Sequence, residues 1–201
     1  MSKNTELLIE IMTVLVLVVA LSFVPSPTTT LGLFTMVIPL WWYSFRRGVL
    51  PTVILALICS VVVVTAHGEW SSDIVSLLLV VFLLLISGAI PGFFSKFTIR
   101  TLFNRKTTST ILNVMTGTFL SSLLISIIAG LATSNADLAN TLQHTLNVVA
   151  TSWGSVFLGT LFTWLIGAII FVVMIKWWPT GLIPRFTRHL SRRERSSLLN
   201  D

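Results

Sequence analysis

The chain has 201 residues, of which 54% are hydrophobic and only 10% are charged, and its formal charge is +6. Soluble domains carry about 25% charged residues, so this composition excludes an ordinary soluble domain and indicates a protein that crosses a membrane several times. The single cysteine, Cys59, excludes an intramolecular disulfide and a cysteine-based zinc site.

Six apolar segments are long enough, or nearly long enough, to cross a bilayer, for which a straight helix needs ~20 residues. They cover residues 7–24, 31–45, 49–66, 74–94, 110–131 and 151–178. The first is not a cleavable signal, because Glu6 and Glu10 enter it and no small-residue cleavage site ends it. The second is short, so we expect it to be tilted, kinked at Pro39 or partly enclosed by its neighbours. Because lipid offers the backbone no hydrogen bonds, the predicted fold class is all-α integral membrane, with six transmembrane helices.

The basic residues alternate with these segments. All 13 lie before the first segment, between the second and third, between the fourth and fifth, or at and after the end of the sixth. They are Lys3; Arg46 and Arg47; Lys96, Arg100, Arg105 and Lys106; and Lys176, Arg185, Arg188, Arg192, Arg193 and Arg195. The other three connections hold only the acids Glu69, Asp73 and Asp137. The positive-inside rule therefore predicts a multi-pass protein of the cell membrane, with both termini cytoplasmic and a bacterial source favoured.

The predicted membrane topology also accounts for the net positive charge, so no nucleic-acid partner is expected. Residues 1–183 are predicted to form the membrane domain and residues 184–201 a basic cytoplasmic tail that meets anionic membrane lipid. Between residues 133 and 150, apolar residues recur at helical spacing after Asn135 and Asp137, which are suited to capping. They are Leu138, Leu142, Leu146 and Val149. This pattern predicts a short amphipathic helix at the outer surface, either covering a cavity or serving as a plain connector.

Few ionisable side chains enter the apolar segments, and no pattern typical of catalysis or metal binding is present. There is no His-Glu-x-x-His sequence, no acidic pair on one helical face and no phosphate-binding Walker A motif. We therefore expect no catalytic residue, no metal, no cofactor and no enzymatic activity. Small and hydroxylic residues instead form stripes along the later segments, including Gly88 and Gly92 in a GxxxG pattern. Such stripes favour close helix packing, with a pocket lined by Ser126, Trp153 and Trp164 as the alternative.

The stretch TMVIPLWWYSFRRG, residues 35–48, resembles the substrate-binding S-components of energy-coupling-factor vitamin transporters, specifically the thiamine-type group. The residues that carry the resemblance are Met36, Ile38, Pro39, Ser44, Phe45, Arg46 and Gly48, continued by Ser87, Gly88, Gly92 and Phe94. The resemblance implies a scaffold of six helices that captures a vitamin-like molecule from outside. It also implies a separate transmembrane coupling subunit and two ATPase subunits as partners.

The chain departs from the thiamine-type pattern at several polar positions. Val80 and Val81 stand where the group carries an acidic residue and a tyrosine, and Ser126 replaces a histidine. Phe157 and Leu158 replace a tyrosine–asparagine pair, while Trp153 keeps an aromatic residue at a tyrosine position. The apolar run from Val14 to Val19 also lacks the small residues by which such proteins contact their coupling subunit.

Two functions remain open from the sequence. The first is a substrate-binding subunit for uptake of thiamine or a related compound. Its binding residues would be the aromatics Trp153, Phe157 and Trp70, the hydroxyl of Ser126, and the acids Glu69 and Asp73 for a cationic ligand. The second is a membrane interaction or scaffold protein that keeps the fold and binds no ligand, which the loss of polar positions favours.

Overall fold

The computed structural model describes residues 3–23, 34–67, 74–133 and 153–184. Within these ranges the chain forms helices and no strand. The α-helices are α1 (Lys3–Ser22), α2 (Ile38–Arg47), α3 (Val49–Ala66), α4 (Ile74–Ile86), α5 (Ser95–Phe103), α6 (Thr107–Thr133) and α7 (Trp153–Trp177). Short 3₁₀ segments cover Thr35–Val37, Ser87–Phe94 and Pro179–Leu182.

Five helical stretches in this part of the chain are long and apolar enough to cross a membrane. They are Asn4–Ser22, Val49–Ala66, Leu77–Phe103, Thr107–Ala132 and Val156–Trp177. The prediction of an all-α membrane protein is thereby confirmed. The total number of crossings and the cytoplasmic position of both termini stay predictions.

The helices match the predicted segments with one difference. The third segment, Val49–Ala66, has the predicted bounds. The fourth continues beyond Phe94, because the 3₁₀ segment leads directly into α5. Residues 95–103, predicted to begin a connection, are therefore helical: polar side chains at the end of an apolar segment do not stop a helix when no breaker follows. The amphipathic helix predicted between residues 133 and 150 lies outside the described residues, apart from its first position.

Helix α2 has only ten residues, which gives it a length of about 15 Å, half of a ~30 Å hydrocarbon core. It lies inside the bundle: Leu40, Trp41 and Phe45 have no exposed surface. Of the three alternatives left open for the short second segment, the structure shows enclosure by its neighbours. An enclosed helix does not need the length of a lipid-facing one, because its ends are covered by protein.

Trp41 connects α2 to three other elements. Its indole Nε1–H donates to the Ser121 Oγ of α6 at 2.7 Å, and the Ser121 hydroxyl donates to the Ser87 carbonyl at 2.7 Å. On the α7 side, the ring fills the space that a side chain at Gly167 would need. A large buried aromatic with a polar atom needs a partner for that atom, and this chain of two hydrogen bonds supplies it.

Gly88 and Gly92 allow the 3₁₀ segment to contact the backbone of its neighbours. A Cβ added to Gly92 would lie 2.6 Å from the Val49 backbone nitrogen, and one on Gly88 would lie 2.8 Å from the Leu40 Cβ. Pro91, between them, lacks an N–H and so disfavours regular α-helix. The packing role predicted for the GxxxG pattern is confirmed. Gly48, whose φ of 88° is suited to glycine, forms the corner between α2 and α3.

We expect Gly92→Ala to destabilise the protein by about 1–3 kcal/mol, the usual cost of overpacking a tight contact. The added methyl group meets backbone atoms of Gly48 and Val49, which cannot rotate away. Thermal unfolding in detergent measures the effect as a lower melting temperature. The matched control is Gly154→Ala, at an exposed position in the first turn of α7, where the higher helix propensity of alanine predicts no loss. Equal melting temperatures for the two variants would contradict the packing role.

Candidate functional site

Long-range contacts define two ends of the bundle. At one end, Arg46 of α2 contacts Glu10 in the first half of α1 and the Gly181 carbonyl after α7; we call this the basic end. At the opposite end, the His67 ring stacks on Phe23 with 4.4 Å between ring centroids. These contacts place the predicted binding residues Ser126, Phe157 and Trp153, from the last turns of α6 and the first turns of α7, in the half of the bundle away from the basic end.

Ser126 and Phe157 line one crevice between α6 and α7, together with Thr160 and Trp164. Trp153 does not line it: its ring packs over Gly130, and the residue is 53% exposed. The structure therefore brings two of the predicted binding residues together and places the third nearby. Three further predicted binding residues, Glu69, Trp70 and Asp73, lie outside the described residues.

The crevice is small and its hydroxyl groups are already paired. Its volume is about 10 Å³, which is about the space for one water molecule. The Ser126 hydroxyl is hydrogen-bonded to the Thr160 hydroxyl and lies 3.0 Å from the Ser122 carbonyl. The Thr160 hydroxyl in turn lies 2.9 Å from the Phe157 carbonyl. This crevice, formed by described residues of α6 and α7, is too small for a vitamin-sized molecule.

The positions where the resemblance implies polar contacts are apolar core positions here. Val80 is 6% exposed and Val81 is fully buried, both within the main hydrophobic cluster. An anionic contact for a cationic ligand is therefore missing from α4. In the described part of the chain, no group of three or more His, Cys, Asp or Glu residues is placed to hold a metal ion.

A buried charge cluster at the basic end was not predicted from the sequence. The Arg46 Nε donates to Glu10 Oε1 at 3.0 Å and the Arg47 Nε donates to Glu10 Oε2 at 2.6 Å. Glu6 lies 3.3 Å from the Arg46 guanidinium and 3.5 Å from that of Arg47. The four side chains are between 6% and 12% exposed. The signal for this cluster is the i, i+4 spacing of Glu6 and Glu10, which puts both carboxylates on one face of α1, so the expectation of no acidic pair on one helical face was wrong.

The cluster also fixes the chain that follows α7. The Gly181 carbonyl accepts hydrogen bonds from the Arg46 guanidinium and from the Trp42 indole, the latter at 3.0 Å. The Arg46 Cζ lies 5.0 Å from the Trp42 ring centroid, within the range of a cation–π contact. Two carboxylates balance two guanidiniums, so the cluster carries no net charge into the protein.

A second cavity runs between α1, α2 and α7 and is much larger than the crevice. Its volume is about 590 Å³, within the ~300–1,000 Å³ of small-molecule pockets. Pro39 and Trp42 of α2 contribute to its lining, and its walls are apolar apart from Glu10, Thr13 and Thr35. We call this cavity the apolar groove.

We expect Glu10→Gln to destabilise the protein by about 3–5 kcal/mol, the usual cost of removing one partner of a buried ion pair. The amide keeps the shape of the carboxylate but leaves two buried guanidiniums with half of their counter-charge. Thermal unfolding in detergent measures the loss. The control is Lys176→Gln, an exposed charge in the last turn of α7, which should change stability by no more than ~0.5 kcal/mol. Similar melting temperatures for both variants would show that the cluster is not a stabilising contact.

Comparisons with known proteins identify the fold. No protein-family model matches the chain, and the comparison with curated proteins gives no match. Among solved structures, ThiT from Listeria monocytogenes superimposes with a TM-score of 0.71 at 19% sequence identity. The match covers 91% of this chain and 100% of that one. The chain therefore has the fold of a thiamine-type S-component, as the resemblance of residues 35–48 predicted.

Proposed function

We propose that this protein is the membrane-embedded substrate-binding subunit of an uptake system for thiamine or a related vitamin-like molecule. The observation that carries the proposal is the likeness to ThiT over 91% of the chain. The chain contains no ATP-binding motif, so energy would come from partners: a transmembrane coupling subunit and two ATPase subunits. The protein would lie in the cell membrane with both termini cytoplasmic, so that the end away from Arg46 and Arg47 meets the substrate.

The proposed binding site is at that outer end. Trp153 is half exposed and close to Phe157 in sequence, one helical turn away on α7, and such aromatic faces suit a flat ring. Ser126 lies in the crevice beside Phe157. Because that crevice holds about one water molecule, a vitamin-sized ligand needs further walls. Residues 68–73, with Glu69, Trp70 and Asp73, and residues 134–152 are the segments that would supply them.

The second candidate is a membrane interaction or scaffold protein with the same fold and no ligand. The specific observation in its favour is the state of the polar groups between α6 and α7. The Ser126 and Thr160 hydroxyls are hydrogen-bonded to each other and to their own helices, and α4 has Val80 and Val81 where the resemblance implies polar residues. Hydroxyl groups that are already hydrogen-bonded, such as these two, contribute little to binding a polar molecule.

Thiamine binding separates the two candidates. Isothermal titration calorimetry on the folded protein in detergent should give a saturable isotherm with thiamine. Trp153→Ala and Phe157→Ala should each weaken binding by about tenfold, as expected for the loss of one aromatic contact of ~1.5 kcal/mol. The control is Phe162→Ala, a 44% exposed residue of α7 that does not line the crevice. Wild-type protein that is folded yet binds neither thiamine nor its analogues excludes the thiamine proposal.

Co-purification tests the partners independently of the ligand. The full-length protein, extracted from its native membrane with a mild detergent, should retain a membrane subunit and ATPase subunits in the uptake proposal. Quantitative mass spectrometry of the purified complex identifies them. A stable partner without any ATPase would instead favour the scaffold.

A further inference from the structure

We propose that Gly130 is a positioning residue of the proposed binding site. Because it has no side chain, it leaves a notch in α6 that fixes the Trp153 ring in the orientation that a flat aromatic ligand needs. A Cβ added to Gly130 would lie 2.5 Å from Cε3 and 2.7 Å from Cη2 of that ring. Alanine would therefore displace the ring. The inference rests on the proposed function, since it concerns the same end of the bundle.

The contact is made by one face of the indole. Cε3, Cζ3 and Cη2 are consecutive atoms of the six-membered ring, and the added Cβ would be close to all three. A point beyond the ring edge cannot be close to all three, so the Cβ would lie above the ring plane. Gly130 is buried, whereas Trp153 is 53% exposed. The α6 backbone thus covers one face of the indole and leaves the opposite face for a ligand.

This ring lies where a ligand would have to lie. The Ser126 hydroxyl is bonded to that of Thr160, and Gly130 follows Ser126 by about one helical turn on the same face of α6, away from the basic end. Because the crevice beside Ser126 has room for about one water molecule, a vitamin-sized molecule must lie beyond it, at the level of Trp153. A tryptophan face attracts a flat ring, and a positively charged one in particular.

Packing alone explains a second glycine better than it explains Gly130. Gly167 gives space to the Trp41 ring, which is fully buried and whose N–H donates to Ser121. Burial of a whole indole offsets the destabilising effect of a glycine inside a helix. The half-exposed Trp153 ring buries less surface, so burial offsets less of that effect at Gly130. The orientation of an exposed aromatic face supplies the further reason for glycine there.

The first experiment is calorimetric titration of the folded protein in detergent with thiamine. Gly130→Ala should weaken binding by about tenfold, as expected when one aromatic contact is lost, because the methyl group displaces the ring. The matched control is Gly181→Ala, which puts the same methyl group 2.8 Å from ring atoms of the 59% exposed Trp178 at the basic end. It should bind thiamine as the wild type does.

A double variant distinguishes positioning from a general disturbance of the fold. The phenyl ring of Trp153→Phe is too short to meet a methyl group at position 130. Adding Gly130→Ala to Trp153→Phe should therefore weaken binding no further, so the two losses should not add. The double variant also serves if Gly130→Ala alone does not fold. Losses that add, or wild-type affinity in Gly130→Ala, overturn the proposal.

Fluorine NMR separates a failure of the notch from a failure of the proposed function. The protein is labelled with tryptophan that carries fluorine on Cζ2, which is not among the three ring atoms above Gly130. The Trp153 resonance is the one missing from Trp153→Phe, and Gly130→Ala should shift it while Gly181→Ala leaves it in place. An unshifted resonance overturns the notch whatever the ligand. A shifted resonance in protein that binds no thiamine overturns the proposed function and, with it, the ligand-positioning role of Gly130.

Discussion

The structure depends on one constraint: the ten-residue helix α2 is enclosed by long apolar helices of a membrane protein. Every polar group on an enclosed helix must find its partner inside the bundle, because neither water nor lipid reaches it. Trp41 reaches Ser121, Ser44 reaches the Ala89 carbonyl at 3.0 Å, and Arg46 reaches Glu10. These bonds join α2 to α6, to the 3₁₀ segment and to α1. The hydrogen bonds that pair the polar groups of α2 therefore also fix the positions of its neighbours.

The charge cluster follows from the same constraint. Arg46 and Arg47 end α2 at a depth where the protein covers them, so each guanidinium needs an anion within reach. Glu6 and Glu10 supply it from an otherwise apolar helix, where unpaired they would be costly. The charged side chains of α1 and α2 are therefore present as partners of one another. The Gly181 carbonyl accepts from Arg46 and Trp42, which holds the chain after α7 against α2.

The helices could be predicted well because the length of an apolar segment depends only on consecutive residues of the chain. Val49–Ala66 was predicted to the residue, and enclosure was one of the three alternatives given for the short second segment. The helix over residues 95–103 was not predicted, because polar side chains in this stretch are typical of a connection between helices. The ion pairs between Glu10 and the arginines were missed for a different reason: residues 36 and 37 positions apart meet only through tertiary packing. For the candidate site, the sequence named Ser126 and Phe157 as binding residues, and the structure places both in one crevice; that the hydroxyls there are already paired was not predicted.

The resemblance to the thiamine-type fold is concentrated where the packing constraint is strongest. Met36, Pro39, Ser44 and Gly48 belong to α2 or its flanks, and their neighbours Gly88 and Gly92 allow the closest backbone approach in that region. Larger side chains at Gly88 and Gly92 would collide with α2 and with the start of α3, so substitution there disturbs more than one helix. The crevice between α6 and α7 is lined by other residues, among them Ser126 and Phe157. The residues that carry the resemblance are therefore not those proposed to bind a ligand, and evidence about the fold does not establish the ligand.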